Sequence, residues 1–453
     1  MPSHLDEFSA FIAETTKEKL PPPTIHAAKL IIADCVAAIV GGMAEPEMQR
    51  FAETGTTPPD GPLRPDQARI LGANRIADKA RASLINGTAG TVLEMDEGHQ
   101  FARGHPGMHV FPALLAEAGN SNASGGEFLR AFIIGYDIAA RTGLATSLHP
   151  TTHPHGTWGV IGGAAGLAAW RNEDRGQCRE LLNIASSLSL ATSRRTMLEG
   201  GTVRNAYTGI ANQMAHLATS LLETGFSGEK DGIASVFGTV ISSAFSPEMA
   251  CEKLGERFEV TRNYFKLHAC CRYNHAALDA LWQLIETHDE LNDLTAVDAI
   301  TVDSYNLAAE LDDSEPRNVL ACKFSVPFAV ATTLYHRSSG VLSFTEEARC
   351  NDAIIALARK VSIREDKTMT AQLPDLRPAR VTIHLRDGSI LKAEVETNRG
   401  DWQDPYTETA LKEKFMALTT RLWSPDQAEQ IHSAIMAMEK HPIRDLFFPA
   451  SGS

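Results

Sequence analysis

The chain has 453 residues, 43% of them hydrophobic and 22% charged, with 42 Lys plus Arg against 56 Asp plus Glu and a net charge of −14. That composition is a globular one with apolar material for more than one core, and an acidic chain without a basic stripe excludes nucleic acid as a partner. An anionic ligand would need a local basic pocket inside this acidic protein. The seven cysteines show no CxxC pair and no His/Cys metal spacing, so a reducing, cytoplasmic setting is expected. No secretory signal opens the chain, and no run of roughly 18 apolar residues is apparent, so no membrane span is expected.

In chain order, helical spacing of apolar residues predicts helices over 24–41, 126–147, 157–170 and 207–224. Many of their positions are Ala, Gly, Ser or Thr, which lets helix axes approach closely. Strand-like alternation is nearly absent before about residue 265. After that, 296–304 alternates like a strand, and 379–397 reads as a hairpin around Asp387-Gly388, a pair suited to a tight turn. Helices are predicted over 274–288, 320–337 and 346–361, and helical spacing returns beyond Pro405. The expected fold is mainly α, with a large all-helical domain (1–265 and 405–453) and a smaller α+β lid (266–404).

Four stretches concentrate reactive side chains. NGTAGTVLEMDEGHQFARGHPGMH (86–109) sets Glu94, Asp96 and Glu97 beside His99, Arg103, His105 and His109. Carboxylates beside histidines serve acid–base catalysis or metal binding, and the same composition equally suits a solvated loop between helices. HPTTHPHGTWG (149–159) carries His149, His153 and His155 between prolines that stiffen the loop. Backbone N–H groups near Gly156 and Thr157, at the start of the next helix, would suit a carboxylate; the prolines disfavour a helical metal pair. SRRTMLEGGTVRNAYTG (193–209) supplies Arg194, Arg195 and Arg204, the residue type that pairs bidentately with carboxylates, or else solvated surface arginines. YFKLHACCR (264–272) places Lys266 at the expected domain boundary. There, aromatic and apolar neighbours would lower its pKa and make it a base near neutrality. GVIGGAAG (159–166) is not a dinucleotide loop, because no strand precedes it and its spacing is wrong.

Taken together, these stretches resemble the MmgE/PrpD family. The resemblance runs through 86–119, GYDIAARTG (135–143), HPHGTWGVIGGAAG (153–166) and 200–228, and on through FKLHACCRYNHAALDAL (265–281), CKFSVPFAVATTL (322–334) and NRGDWQDPYTETALKEKF (398–415). It implies a helical domain with an α+β lid, a homodimer, no cofactor and no metal, and a site in the cleft between the domains that takes a small polycarboxylate. Carried over by position, Lys266, His105, His153 and Asp96 are the catalytic candidates, and Arg204, Arg103, Glu94 and His155 the substrate-binding ones. Relatives usually read His-x-Leu-Asp-x-Asp-Asp-Thr where this chain has Thr91-Val92-Leu93-Glu94-Met95-Asp96-Glu97-Gly98, and Arg204 stands where Lys is common. The length, the changed motif and the match as a whole look most like an epimerase of iminodisuccinate, so epimerisation by α-proton abstraction and reprotonation is what the resemblance implies first. Dehydration of a 2-methylcitrate type or decarboxylation of a cis-aconitate type is the alternative, and a non-catalytic organic-acid binder a second one.

Overall fold

The computed structural model describes residues 3–119 and 121–448. Ten of its helices build the body and the lid around the site. They are α1 (Pro22–Met43), α2 (Lys79–Val92), α3 (Pro106–Ala118), α4 (Gly125–Leu144), α5 (Gly159–Arg171), α6 (Tyr207–Glu223), α7 (His275–Thr287), α8 (Val326–His336), α9 (Glu408–Thr419) and α10 (Pro425–Met436). Helices α1 to α6 pack on one another around a core of Ala, Ile, Val and Phe. Small residues set the spacing: a Cβ on Gly209 of α6 would lie 2.2 Å from the Leu84 carbonyl oxygen of α2, so only glycine permits that crossing. Helices α9 and α10 pack on α1, returning the C-terminal segment to the N-terminal body.

Helix α1 corrects the expectation about apolar runs. It is long and apolar enough to cross a membrane, with mean hydropathy 1.7 over its best window, but 72% of that window is buried inside the protein. Flanked by α2, α9 and α10, it is a core helix by placement.

The region after residue 266 carries a four-stranded sheet. Its strands are β3 (Val297–Ser304), β4 (Val361–Glu365), β5 (Ala379–Leu385) and β6 (Ile390–Val395), in the order β6-β5-β3-β4. Only β3 and β4 pair in parallel. Strand β5 alternates buried and half-buried residues along its whole length, and Gly388 at φ 91° makes the hairpin turn to β6. Helix α7 lies across β5 and β6, and α8 across β4. The helix expected over 346–361 is two short helices, Glu346–Arg349 and Asp352–Ala358, followed by strand β4. The helix expected over 320–337 breaks at Phe324–Ser325, where the Ser325 hydroxyl caps α8 by accepting from the Phe328 N–H. Among the helices, short two-stranded ladders appear that the sequence pattern did not announce. The one that shapes the site pairs β1 (Gly98–His99) with β2 (Asn263–Tyr264).

Candidate active site

The acidic stretch 94–97 is not a solvated loop. Asn86–Val92 is the second half of α2, and Glu94, Asp96 and Glu97 beyond it are buried. The β1–β2 ladder draws the two segments together: it holds Tyr264 against Gly98, and Lys266, two residues further on, arrives beneath the acids. Glu97 accepts from the Gly107 N–H (2.7 Å) in the first turn of α3 and from the Tyr136 hydroxyl (3.0 Å). An acceptor there satisfies an otherwise open helix N–H and fixes His105, which stands at the N-cap of α3.

Lys266, fully buried, has its Nζ 3.5 Å from Glu94 Oε2 and 3.5 Å from Asp96 Oδ1. Burial alone lowers a lysine's pKa, but the Asp96 and Glu94 carboxylates outweigh it and hold the ammonium above its ordinary range. The lowered pKa expected from its apolar chain neighbours is therefore corrected: the two carboxylates favour the ammonium form of Lys266. Burial likewise opposes ionisation of Glu94, yet Arg204, Lys266 and His105 together bring its carboxyl down to about 2. Arg204, itself buried, is ion-paired to Glu94 and stacks over Phe324 at 5.2 Å. Asp96 is the opposite case. Burial, with Glu94 beside it, raises its pKa, and neither of its oxygens has a hydrogen-bond partner among the described residues, although Lys266 and His105 lie within ion-pair distance.

The histidines sort by tautomer. His105 Nδ1 contacts the Glu97 carbonyl, which can only accept, so Nδ1 carries the proton and Nε2 is the basic atom. His153 is reversed: its Nδ1 accepts from the His155 N–H (3.1 Å), so its neutral ring presents Nε2–H as a donor. Burial, then the charge of Lys266, lowers the pKa of His105 to about 3. Burial and Arg204 hold His153 and His155 well below the ordinary range. The rings of His105 and His153 each lie 4.6 Å from that of His155, whose Nδ1 is buried without a partner. The N–H groups expected to bind a carboxylate near Gly156 and Thr157 are spent, one on His109 Nε2 (3.1 Å) and one on the Pro154 carbonyl (3.2 Å).

One cavity is lined by Glu94, Arg103, His105, His153, His155, Arg204 and Lys266, so seven of the eight expected site residues share it; Asp96 lies directly behind, in contact with Lys266 and His105. Arg103 is exposed at its edge, with φ 58°. Arg194 lines the cavity, whereas Arg195 points outward and pairs with Glu199. Sequence reasoning missed Arg377, a residue of the α+β region between Leu376 and Pro378 with no reactive neighbour in the chain to flag it. It donates to the Gln100 carbonyl (2.9 Å) and, with Arg194, flanks the ring of Tyr273. With Arg272 the cavity is lined by six cationic side chains and a single carboxylate, Glu94. Arginine-rich linings of this kind suit small molecules bearing several carboxylates.

Glu94, Asp96 and His105 also offer three ligand atoms within 4.8 Å of one another, the grouping among the described residues with metal-ligand spacing. Lys266 Nζ already sits between the two carboxylates and supplies the positive charge that a cation there would bring.

Residues 6–249 match the MmgE/PrpD N-terminal domain and residues 268–440 the MmgE/PrpD C-terminal domain. The chain is 21% identical to the cis-aconitate decarboxylase-like protein oryM of Aspergillus oryzae, over 96% of this chain and 94% of that protein. It is similar to the cis-aconitate decarboxylase of Aspergillus terreus (21% identical, over 96% and 93%) and to that of Mus musculus (23% identical, over 79% and 75%). With both halves matched in order, the chain belongs to the MmgE/PrpD family.

Proposed function

We propose that this protein is a cofactor-independent enzyme that forms and protonates a carbanion beside a carboxylate of a small polycarboxylate, with loss of CO2 as the net reaction. The observation that carries the reading is the buried Lys266, whose ammonium form is favoured by Asp96 and Glu94, in a cavity whose other charged and imidazole side chains are five arginines, three histidines and one carboxylate, Glu94. The names of the relatives support decarboxylation as the outcome. In that reaction the arginines hold the carboxylates that remain, the C–C bond to the departing carboxylate breaks, and its electron pair delocalises toward a retained carboxylate. Preorganised cations stabilise that charge, and Lys266 delivers a proton to carbon. The deprotonated amine regains its proton from solvent before the next turnover.

A second reading, epimerisation of an amino-dicarboxylate such as iminodisuccinate, is favoured by one specific feature. Decarboxylation needs a proton donor only, yet a base, His105 Nε2, lines the same cavity as the Lys266 acid. Groups with pKa values pushed apart in one site suit removal of a proton by one and delivery by the other. Asp96 contacts both and would keep them in register.

The test is to incubate the protein in D2O with cis-aconitate, 2-methylcitrate, citrate and a single stereoisomer of iminodisuccinate. CO2 release, C=C absorbance, stereoisomer composition and deuterium at carbon are then measured. CO2 with one deuterium incorporated supports the first reading; a changed stereoisomer ratio without CO2 supports the second. A new C=C bond without CO2 assigns dehydration instead. Tight polycarboxylate binding with no isotope exchange makes the chain a binder and ends both.

A further inference from the structure

The turn that carries the acids is bent in an unusual way. Glu94 has φ 56°, in the left-handed region that residues with a Cβ rarely adopt, directly after the last turn of α2. Three lysines reach the carbonyl oxygens of this turn. Lys323 Nζ donates to Val92 O (2.8 Å), Lys266 Nζ to Glu94 O (3.2 Å) and Lys414 Nζ to Met95 O (2.6 Å). Lys323 and Lys414 are both buried, and neither lines the cavity. They come from distant parts of the chain: Lys323 from the short helix Val319–Lys323 ahead of α8, Lys414 from α9. Lys414 is also ion-paired to Asp34 of α1, which anchors its ammonium from behind. Lys323 has no such carboxylate contact among the described residues; burial depresses its pKa, with Glu94 opposing that. Keeping a buried ammonium on one backbone carbonyl is costly, and a methionine would fill the same space without that cost. The cost is understandable if the carbonyl must be held.

We propose that Lys323 and Lys414 are positioning residues: by gripping the carbonyls on either side of Glu94 they hold the turn in its left-handed form, which aims Glu94 at Arg204 and sets Asp96 between Lys266 and His105. The kinetic part of this proposal rests on the proton chemistry of the proposed function; the structural part does not. The variants are Lys323→Met and the pair Lys414→Met with Asp34→Asn, which leaves no buried carboxylate unpaired, with surface Lys412→Met as control. Amide hydrogen exchange read by mass spectrometry is the activity-independent measurement. Exchange at residues 93–97 should rise at least tenfold in both variants, while α4 stays as protected as in the parent. On the substrate that the parent turns over, kcat should fall at least tenfold with KM within about threefold, because the arginines of the wall other than Arg204 do not pair with Glu94. Lys323→Arg and Lys414→Arg keep a charged donor and should recover part of both losses; if a methionine variant fails to fold, these are read in its place. Unchanged exchange at 93–97, or faster exchange spread evenly over the chain, overturns the proposal. A parent with no turnover of any polycarboxylate would defeat the proposed function instead and leave the exchange result to decide this one.

Discussion

At the scale of single residues, the site is organised by which groups carry charge. Lys266→Met should abolish proton delivery, lowering turnover by on the order of 10²–10⁴-fold, the usual worth of a positioned acid or base. Lys266→Arg should not restore it, because a guanidinium does not give up its proton. Steady-state rates on the active substrate check both, and near-parent rates in Lys266→Met would remove it from the chemistry. His105→Gln separates the two proposed reactions. Decarboxylation needs no base and should survive within about tenfold, while epimerisation should fall by on the order of 10²-fold or more. The residue types and positions of Glu94, His105, His153, Arg204 and Lys266 were legible in the sequence. The direction of the Lys266 shift was not, since the carboxylates that raise its pKa, Asp96 and Glu94, lie far off in the chain, Glu94 172 positions away.

At the scale of elements, the two-residue ladder β1–β2 does more for the site than its length suggests. A Cβ on Gly98 would lie 2.3 Å from the Tyr264 hydroxyl oxygen, so Gly98→Ala must displace the Tyr264 ring and strain the ladder that leads to Lys266. The expected result is a loss of about 1–3 kcal/mol in stability, typical of overpacking, with at least a tenfold fall in turnover. Thermal denaturation and initial rates measure the two, and unaltered rates would mean that the ladder does not place Lys266. Long periodic helices such as α4 and α6 could be read from the sequence because a 3.6-residue repeat summed over several turns is a strong signal. Two residues of ladder carry no period at all. Strand β4 escaped for a related reason: as an edge strand with only Val361 fully buried, it lacks a clear buried–exposed alternation.

At the scale of the whole molecule, the buried neutral histidines couple stability to pH. Burial, partly opposed by its hydrogen bond to His105, holds the pKa of His109 at about 4, against 6.5 for a free imidazole. Between those values the unfolded chain binds a proton that the folded chain refuses, so stability falls as the solution is acidified, by up to about 1.4 kcal/mol per pH unit per histidine. His109→Gln can keep both neighbouring hydrogen bonds and should start less stable than the parent at pH 7.5. It should then gain on the parent at about that slope from pH 6.5 down toward 4. Denaturant titrations across this range measure the difference, and parallel pH curves would show that His109 does not carry the coupling.

The sequence by itself determined the helical body, the hairpin of the lid, the four reactive stretches and the family they resemble, because these rest on local periodicity and on residue identity in order. Only the tertiary structure decided that the acids are buried, that Asp96 and Glu94 favour the ammonium form of Lys266, that His105 and His153 hold opposite tautomers, and that Arg377 reaches the Gln100 carbonyl. Charge–charge energies and desolvation depend on distance through space, and in this chain the groups that set them lie far apart in sequence.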